Sequence, residues 1–271
     1  MMPLPDRLFR GYLFDLDGTV YLGDALLPTV GATIARLRGD GRRTVFLSNN
    51  PTHTRAFYAE KLTRLGLPTP IDDILVSTQA LVELLLDRVP GARLFVIGEA
   101  PLAAELRDAG FRLVERAAET DVVVASFDRT FAYWKLQVAF DAIRAGARFF
   151  ATNGDRFCPV PGGGEPDAAS VIAAIEACTG ATCEAIAGKP SPHMMAAALR
   201  IVGLPAEECL MTGDRLETDV RMGLEAGMPA ALVLTGATAA SALEASPVRP
   251  TYVLHQLADL LPPDGSPESA R

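Results

Sequence analysis

Thiols and imidazoles are few in this chain, with four cysteines and three histidines in 271 residues. Cys158, Cys178, Cys183 and Cys209 form no C-x-x-C pair, and their spacing argues against a zinc site. They read as small, partly buried thiols of a reducing cytosol. His53, His193 and His255 are scattered and read as helix-end or surface residues. Positive charge is also in deficit. Lys and Arg number 25 against 33 Asp and Glu, a net charge of −8. That balance argues against a nucleic-acid polymer as partner, because non-specific affinity for one comes from cations. It leaves room for small anions at a locally positive site. No apolar run approaches the roughly 20 residues that cross a bilayer. The opening MMPLPDRLFR has no apolar segment of a secretion signal. The expectation is a cytoplasmic protein without a membrane partner. No G-K-[ST] follows the glycine-rich Pro161–Gly164, so it is not a Walker loop and reads as a turn before a helix.

Against these absences stands an ordinary globular composition, 49% hydrophobic and 21% charged. At about 150 residues per domain, the length predicts one large domain or two modest ones. Short runs rich in Val, Leu, Ile and Phe, bounded by Gly, Asp or Asn, predict strands at Gly11–Phe14, Arg43–Ser48, Arg93–Gly98, Asp121–Ser126, Arg148–Thr152, Glu208–Thr212 and Ala230–Leu234. Helices are predicted between them at Thr29–Gly39, Thr54–Leu65, Thr78–Arg88, Pro101–Ala109, Tyr133–Ala145, Pro166–Cys178, Pro192–Ile201 and Glu217–Ala226. Gly66, Gly110, Gly146, Gly180 and Gly227 suit left-handed helix ends. This alternation implies α/β architecture, with parallel sheets covered on both faces. In such sheets ligands bind beyond the carboxyl ends of the strands. The tail from Pro262 is rich in Pro and Ser and is expected to fray.

Polar residues just past four of these segments therefore matter most. Asp15 and Asp17 flank a strand end, and Gly18 gives the freedom to turn both carboxylates toward one place. Ser48, Asn49 and Asn50 offer a hydroxyl and backbone N–H groups near a helix start, as a phosphate site needs. Lys189 sits before prolines that restrict its backbone. Asp214 and Asp219 follow another strand. Each signal alone has a plain alternative: an Asp-rich turn, a Ser-Asn helix cap, a solvated lysine or acidic capping of a helix start. Together they combine carboxylates suited to Mg²⁺ with a hydroxyl, backbone donors and an ammonium suited to a phosphoryl group. One aspartate can attack phosphorus and a second can handle the leaving-group proton.

In order and spacing, Asp15-x-Asp17-Gly18-Thr19, Ser48, Lys189 and Gly213-Asp214 with Asp219 resemble the four motifs of the haloacid dehalogenase superfamily of phosphatases. Leu47-Ser48-Asn49-Asn50, Ala151-Thr152-Asn153-Gly154-Asp155, Ala187-Gly188-Lys189-Pro190 and the run from Gly213 to Asp219 are similar to its p-nitrophenyl phosphatase, NagD-like branch, which includes pyridoxal phosphate phosphatases. The resemblance implies a Rossmann-like, doubly wound core over residues 1–80 and 186–271, with a smaller α/β cap inserted at 81–185. It implies a Mg²⁺-dependent phosphatase of small phosphorylated metabolites working through an aspartyl-phosphate. Asp15 is then nucleophile and metal ligand, Asp17 general acid and base and a metal contact through its carbonyl, and Asp214 the third contact. Asp219 orients metal-bound water or Lys189. Ser48 and Lys189 hold the phosphoryl group, with backbone N–H groups near Asn49 and Gly18. The branch often has Pro where this chain has Gly154, and a glycine-rich turn of small residues where it reads Gly163-Gly164-Glu165-Pro166-Asp167. Both departures bear on substrate identity. Asn153, Asp155 and Arg156 are candidates for contacting the leaving group, or form a purely structural turn. A 2-haloacid dehalogenase has no use for Asp17 or Asp214. A phosphomutase and a non-catalytic binding protein on the same fold remain as alternatives. A homodimer through the cap is consistent with the resemblance.

Overall fold

The computed structural model describes residues 4–160 and 162–261. The tail from Pro262, and Pro161 of the glycine-rich turn, lie outside them. The chain forms two compact units. One comprises the stretch ending at Ser48, Ala56–Leu75 and the stretch from Met195; the other comprises Asn49–Arg55 and Val76–Met194.

The first unit is built on a six-stranded sheet in the order Tyr252–Leu254, Ala230–Val233, Cys209–Gly213, Gly11–Asp15, Arg43–Ser48, Ile74–Val76. Gly11–Asp15 pairs in parallel with both of its neighbours, Phe14 standing opposite Thr212 on one side and Phe46 on the other. The chain winds outward from this strand to Ile74–Val76, then returns to its other side and winds outward again. The order therefore reverses at Gly11–Asp15. Crossover loops leave the two sides in opposite directions there and open a crevice at the carboxyl ends. Every residue of Gly11–Asp15 and of Cys209–Gly213 is buried, which is why both read as continuous apolar runs rather than alternating ones.

The second unit has a wholly parallel five-stranded sheet, ordered Ala185–Ile186, Arg148–Ala151, Val122–Ala125, Arg93–Ile97, Arg112–Leu113. Alternate residues Phe95 and Ile97, Val123 and Ala125, Phe149 and Ala151 share one face. They bury it against Ala139 and Ala142 of helix Tyr133–Arg144 and Val171, Ile172 and Ile175 of helix Ala168–Thr179.

The expected strands are all interior strands. The edge strands Tyr252–Leu254, Ile74–Val76, Ala185–Ile186 and Arg112–Leu113 were not anticipated; each has two or three residues, too few for a period to register. Two further expectations need correction. Pro166 does not open a helix. It ends the second strand of an antiparallel hairpin, Phe157–Val160 with Gly163–Pro166, whose Gly and Pro content hid it. Helix Ala168–Thr179 starts at the next residue but one, where the Asp167 carboxylate accepts from the Ala168 N–H. The expected helix Glu217–Ala226 is instead a π turn, Leu216–Val220, running into a short α-helix, Arg221–Glu225. Gly180 ends its helix at φ 71°, and Gly66, Gly110, Gly146 and Gly227 also take positive φ. Among the described residues no helix is long and apolar enough to cross a membrane.

Candidate active site

The carboxyl ends of Gly11–Asp15 and Cys209–Gly213 adjoin at the reversal point. One carboxylate oxygen each from Asp15, Asp214 and Asp219 lies within 4.8 Å of the others, and all three residues are buried. Local structure explains the convergence. The π turn folds Asp219 back so that its Oδ2 accepts from the Arg215 N–H at 3.1 Å. A Cβ at position 213 would lie 2.2 Å from that of Asp219, so only glycine lets the turn close this tightly. Asp214 Oδ2 accepts from the Ala237 N–H at 2.5 Å, and a Cβ at position 236 would meet the same oxygen at 2.0 Å. The Thr235 hydroxyl donates to the Gly18 carbonyl at 2.7 Å, tying the turn after Asp15 to the loop after Ala230–Val233.

Three carboxylates at this separation, out of water, repel one another and are stabilised by a cation. The donors are hard oxygens, which fit Mg²⁺ or Ca²⁺ and not a thiolate-seeking metal. Thr235, Gly236 and Ala237 were missed in the sequence, where Gly213 was read as part of a motif. A signal was there: Thr-Gly closes one strand at Thr212-Gly213 and recurs after the neighbouring strand at Thr235-Gly236.

Asp17 is exposed, and its Oδ2 accepts from the Tyr21 hydroxyl at 3.1 Å. Burial, together with the nearby Asp17 and Tyr58, pushes the Tyr21 phenol above its ordinary pKa, so it stays protonated as a donor. Lys61 lies over the Tyr21 ring, 3.8 Å from its centre. Ser48 is buried, and its Oγ donates to the Tyr58 hydroxyl at 3.4 Å.

In the second unit Lys189 is buried. Its N–H donates to Asn49 Oδ1 at 2.8 Å, and its carbonyl accepts from Asn49 Nδ2 at 3.1 Å. Asp155 Oδ2 accepts from Asn49 Nδ2 at 2.8 Å and from Asn153 Nδ2 at 3.1 Å. Asn153 is fully buried and its amide also donates to Asp167. Arg156 is exposed. The structure thus brings Asp15, Gly18, Asp214 and Asp219 together in one unit, and Asn49, Lys189, Asn153 and Asp155 together in the other.

Fold and site define a doubly wound α/β protein with an acid cluster at its switch point, the setting of a divalent-metal enzyme. Residues 12–112 match the family model described as haloacid dehalogenase-like hydrolase, and residues 186–260 match one described as HAD-hydrolase-like. The sugar-phosphatase AraL of Bacillus subtilis is 40% identical over 92% of this chain and 91% of its own length. The 4-nitrophenylphosphatase structure from Thermotoga maritima superposes with a TM-score of 0.88 at 36% identity, over 93% of this chain and 96% of that one. NagD from E. coli superposes with a TM-score of 0.84 at 28% identity, over 93% and 98%. The chain belongs to the haloacid dehalogenase-like hydrolases, in the branch of NagD and the p-nitrophenyl phosphatases.

Proposed function

We propose that this protein is a Mg²⁺-dependent phosphoric monoester hydrolase acting on small phosphorylated metabolites, with sugar phosphates the first class to test. The buried trio Asp15, Asp214 and Asp219, in a chain of this family, carries the reading. The name of AraL supports the substrate class. The carboxylates of Asp15 and Asp214 and the backbone carbonyl of Asp17 are the groups that would hold the ion. When bound, it neutralises charge, so that a carboxylate can approach a phosphate ester.

The chain's own residues do the rest. Asp15 attacks phosphorus, a P–O bond forms to its carboxylate, and the bond to the leaving oxygen breaks. Asp17 gives a proton to that oxygen, then takes one from the water that hydrolyses the aspartyl-phosphate. Tyr21 holds the Asp17 carboxyl by its hydrogen bond. Ser48, Lys189 and the backbone N–H of Asn49 bind the phosphoryl oxygens, and Asp219 orients the site around Asp15 and Asp214. The expected Gly18 N–H does not join them, because it donates to the Tyr21 carbonyl at 2.8 Å. The insertion at 81–185 selects the leaving group. The free cysteines fit a cytoplasmic setting.

The test is release of inorganic phosphate from p-nitrophenyl phosphate with and without Mg²⁺. Asp15→Asn is expected to abolish it, and full activity in that variant overturns the assignment.

A further inference from the structure

Both hydrogen-bonding ends of the Asn49 side chain are used within the protein. Oδ1 takes the Lys189 N–H, and Nδ2 serves both the Lys189 carbonyl and Asp155. Those partners permit a single orientation of the amide, since an N–H requires an acceptor while a carbonyl and a carboxylate require a donor. Asn49 is itself anchored: its carbonyl accepts from Ser77 Oγ at 2.8 Å, and Ser77 is fully buried. Gly188 permits the close approach. A Cβ there would lie 2.6 Å from Asn49 Oδ1 and 2.8 Å from the Thr152 carbonyl. That carbonyl accepts the Gly188 N–H at 2.7 Å.

The grip continues outward. Asp155 Oδ2 is shared by the Asn49 and Asn153 amides. Asn153 Nδ2 also donates to Asp167 Oδ1 at 3.1 Å, and Asn153 Oδ1 accepts from the Thr152 hydroxyl at 2.7 Å. Asp167 caps the helix Ala168–Thr179. A chain of hydrogen bonds thus runs from a helix cap to the peptide groups of Lys189. A lysine ammonium is a point charge on a flexible stem. Fixing the backbone from which that stem leaves narrows the directions the ammonium can take.

We propose that Asn49 is a positioning residue that aims Lys189 through its backbone, and that Asp155 in turn holds Asn49. The inference rests on the phosphatase reading for the role of Lys189 and extends it. Asn153 and Asp155, candidates for touching the leaving group on sequence grounds, then serve to position the lysine.

A double-mutant cycle on the full-length, Mg²⁺-loaded protein tests this. The readouts are turnover of p-nitrophenyl phosphate and of an alkyl phosphate, and calorimetric binding of inorganic phosphate. Asn49→Ala is expected to lower kcat/KM by about tenfold to a hundredfold, equally for both esters, because the lysine acts on the shared phosphoryl group. Phosphate binding should weaken with it. In a Lys189→Ala background the same change should add no more than about a factor of two. Asp155→Ala should lower kcat/KM less, and add nothing to Asn49→Ala. Should Asn49→Ala unfold the protein, the isosteric Asn49→Asp puts a carboxylate against Asp155 and lowers activity. Pairing it with Asp155→Asn relieves the clash at position 155 but leaves the Lys189 carbonyl without its donor, so only part of the loss should be recovered.

An Asn49→Ala penalty that is the same with and without Lys189, that depends on the leaving group, or that leaves phosphate affinity unchanged overturns the inference. A wild type that neither turns over an ester nor binds phosphate overturns the phosphatase reading, and this inference with it. A wild type that does both, alongside an Asn49→Ala variant of full phosphate affinity, overturns this inference alone.

Discussion

Gly236 and Gly213 work at the scale of single atoms: each vacates the space a carboxylate occupies. Gly236→Ala drives a methyl group into Asp214 Oδ2, and the expected result is a loss of Mg²⁺ affinity and of turnover by about a hundredfold, with far-ultraviolet circular dichroism unchanged. A metal titration beside the rate assay checks it. The cysteines differ just as locally. Burial pushes the Cys183 thiol up to about 12 and the Cys209 thiol to about 11, whereas Cys178 is exposed. Only a thiolate alkylates quickly. Iodoacetamide at pH 8 should therefore label Cys178 well before Cys183 or Cys209, as peptide mass spectrometry of timed samples will show. Single residues were also where sequence reading reached least far. Tyr21 falls outside every expected strand and helix. Its place beside Asp17 depends on a hairpin too short to show a period, Tyr21–Leu22 with Ala25–Leu26.

Strand pairs in the second unit are pinned at their starts. Arg93 donates from its N–H, Nε and Nη2 to Asp121 at 2.8–2.9 Å, joining the beginnings of two neighbouring strands. The Arg93 hydrogen bonds hold the Asp121 carboxyl down at about 2, against an ordinary 3.8. A depressed carboxyl contributes stability that is present above its unfolded value and lost as pH falls toward its folded one. Urea midpoints should accordingly drop between about pH 4 and pH 2, and Asp121→Asn should remove part of that slope. Both side chains are well exposed, so water and salt keep the contribution of the pair small. A pH profile of Asp121→Asn that parallels the wild type would show the pair contributes nothing. At this scale the interior strands were legible because a strand buried on both faces is a run of Val, Leu, Ile and Phe. Edge strands and the Gly-Pro hairpin were not, because their composition is that of loops.

For the molecule as a whole, the proposed ion has its acid cluster only in the folded chain. Asp15, Asp214 and Asp219 are brought together by folding, so a cation held by them binds the folded state in preference to the unfolded one. Mg²⁺ at a hundred times its dissociation constant should stabilise the folded state by about 2.7 kcal/mol, raising Tm by several degrees. Asp214→Asn should lose most of that increment. Calorimetric scans with and without Mg²⁺ decide the matter, and an equal rise in the variant would place the ion elsewhere.

By itself, the order of residues determined which segments become interior strands and helices, where helices end at glycine, and which carboxylates, hydroxyl and lysine stand after strand ends. Those properties are local, set by side-chain size, backbone freedom and hydrophobic period within a few residues. Tertiary structure alone decided how closely the carboxylates of Asp15, Asp214 and Asp219 converge, that Gly236 must be small, and that the Asn49 amide meets Lys189 across 140 positions of sequence. Such meetings follow from the order of strands in a sheet and from turns that bend the chain back on itself. No short stretch of residues encodes the distance between two others that far removed.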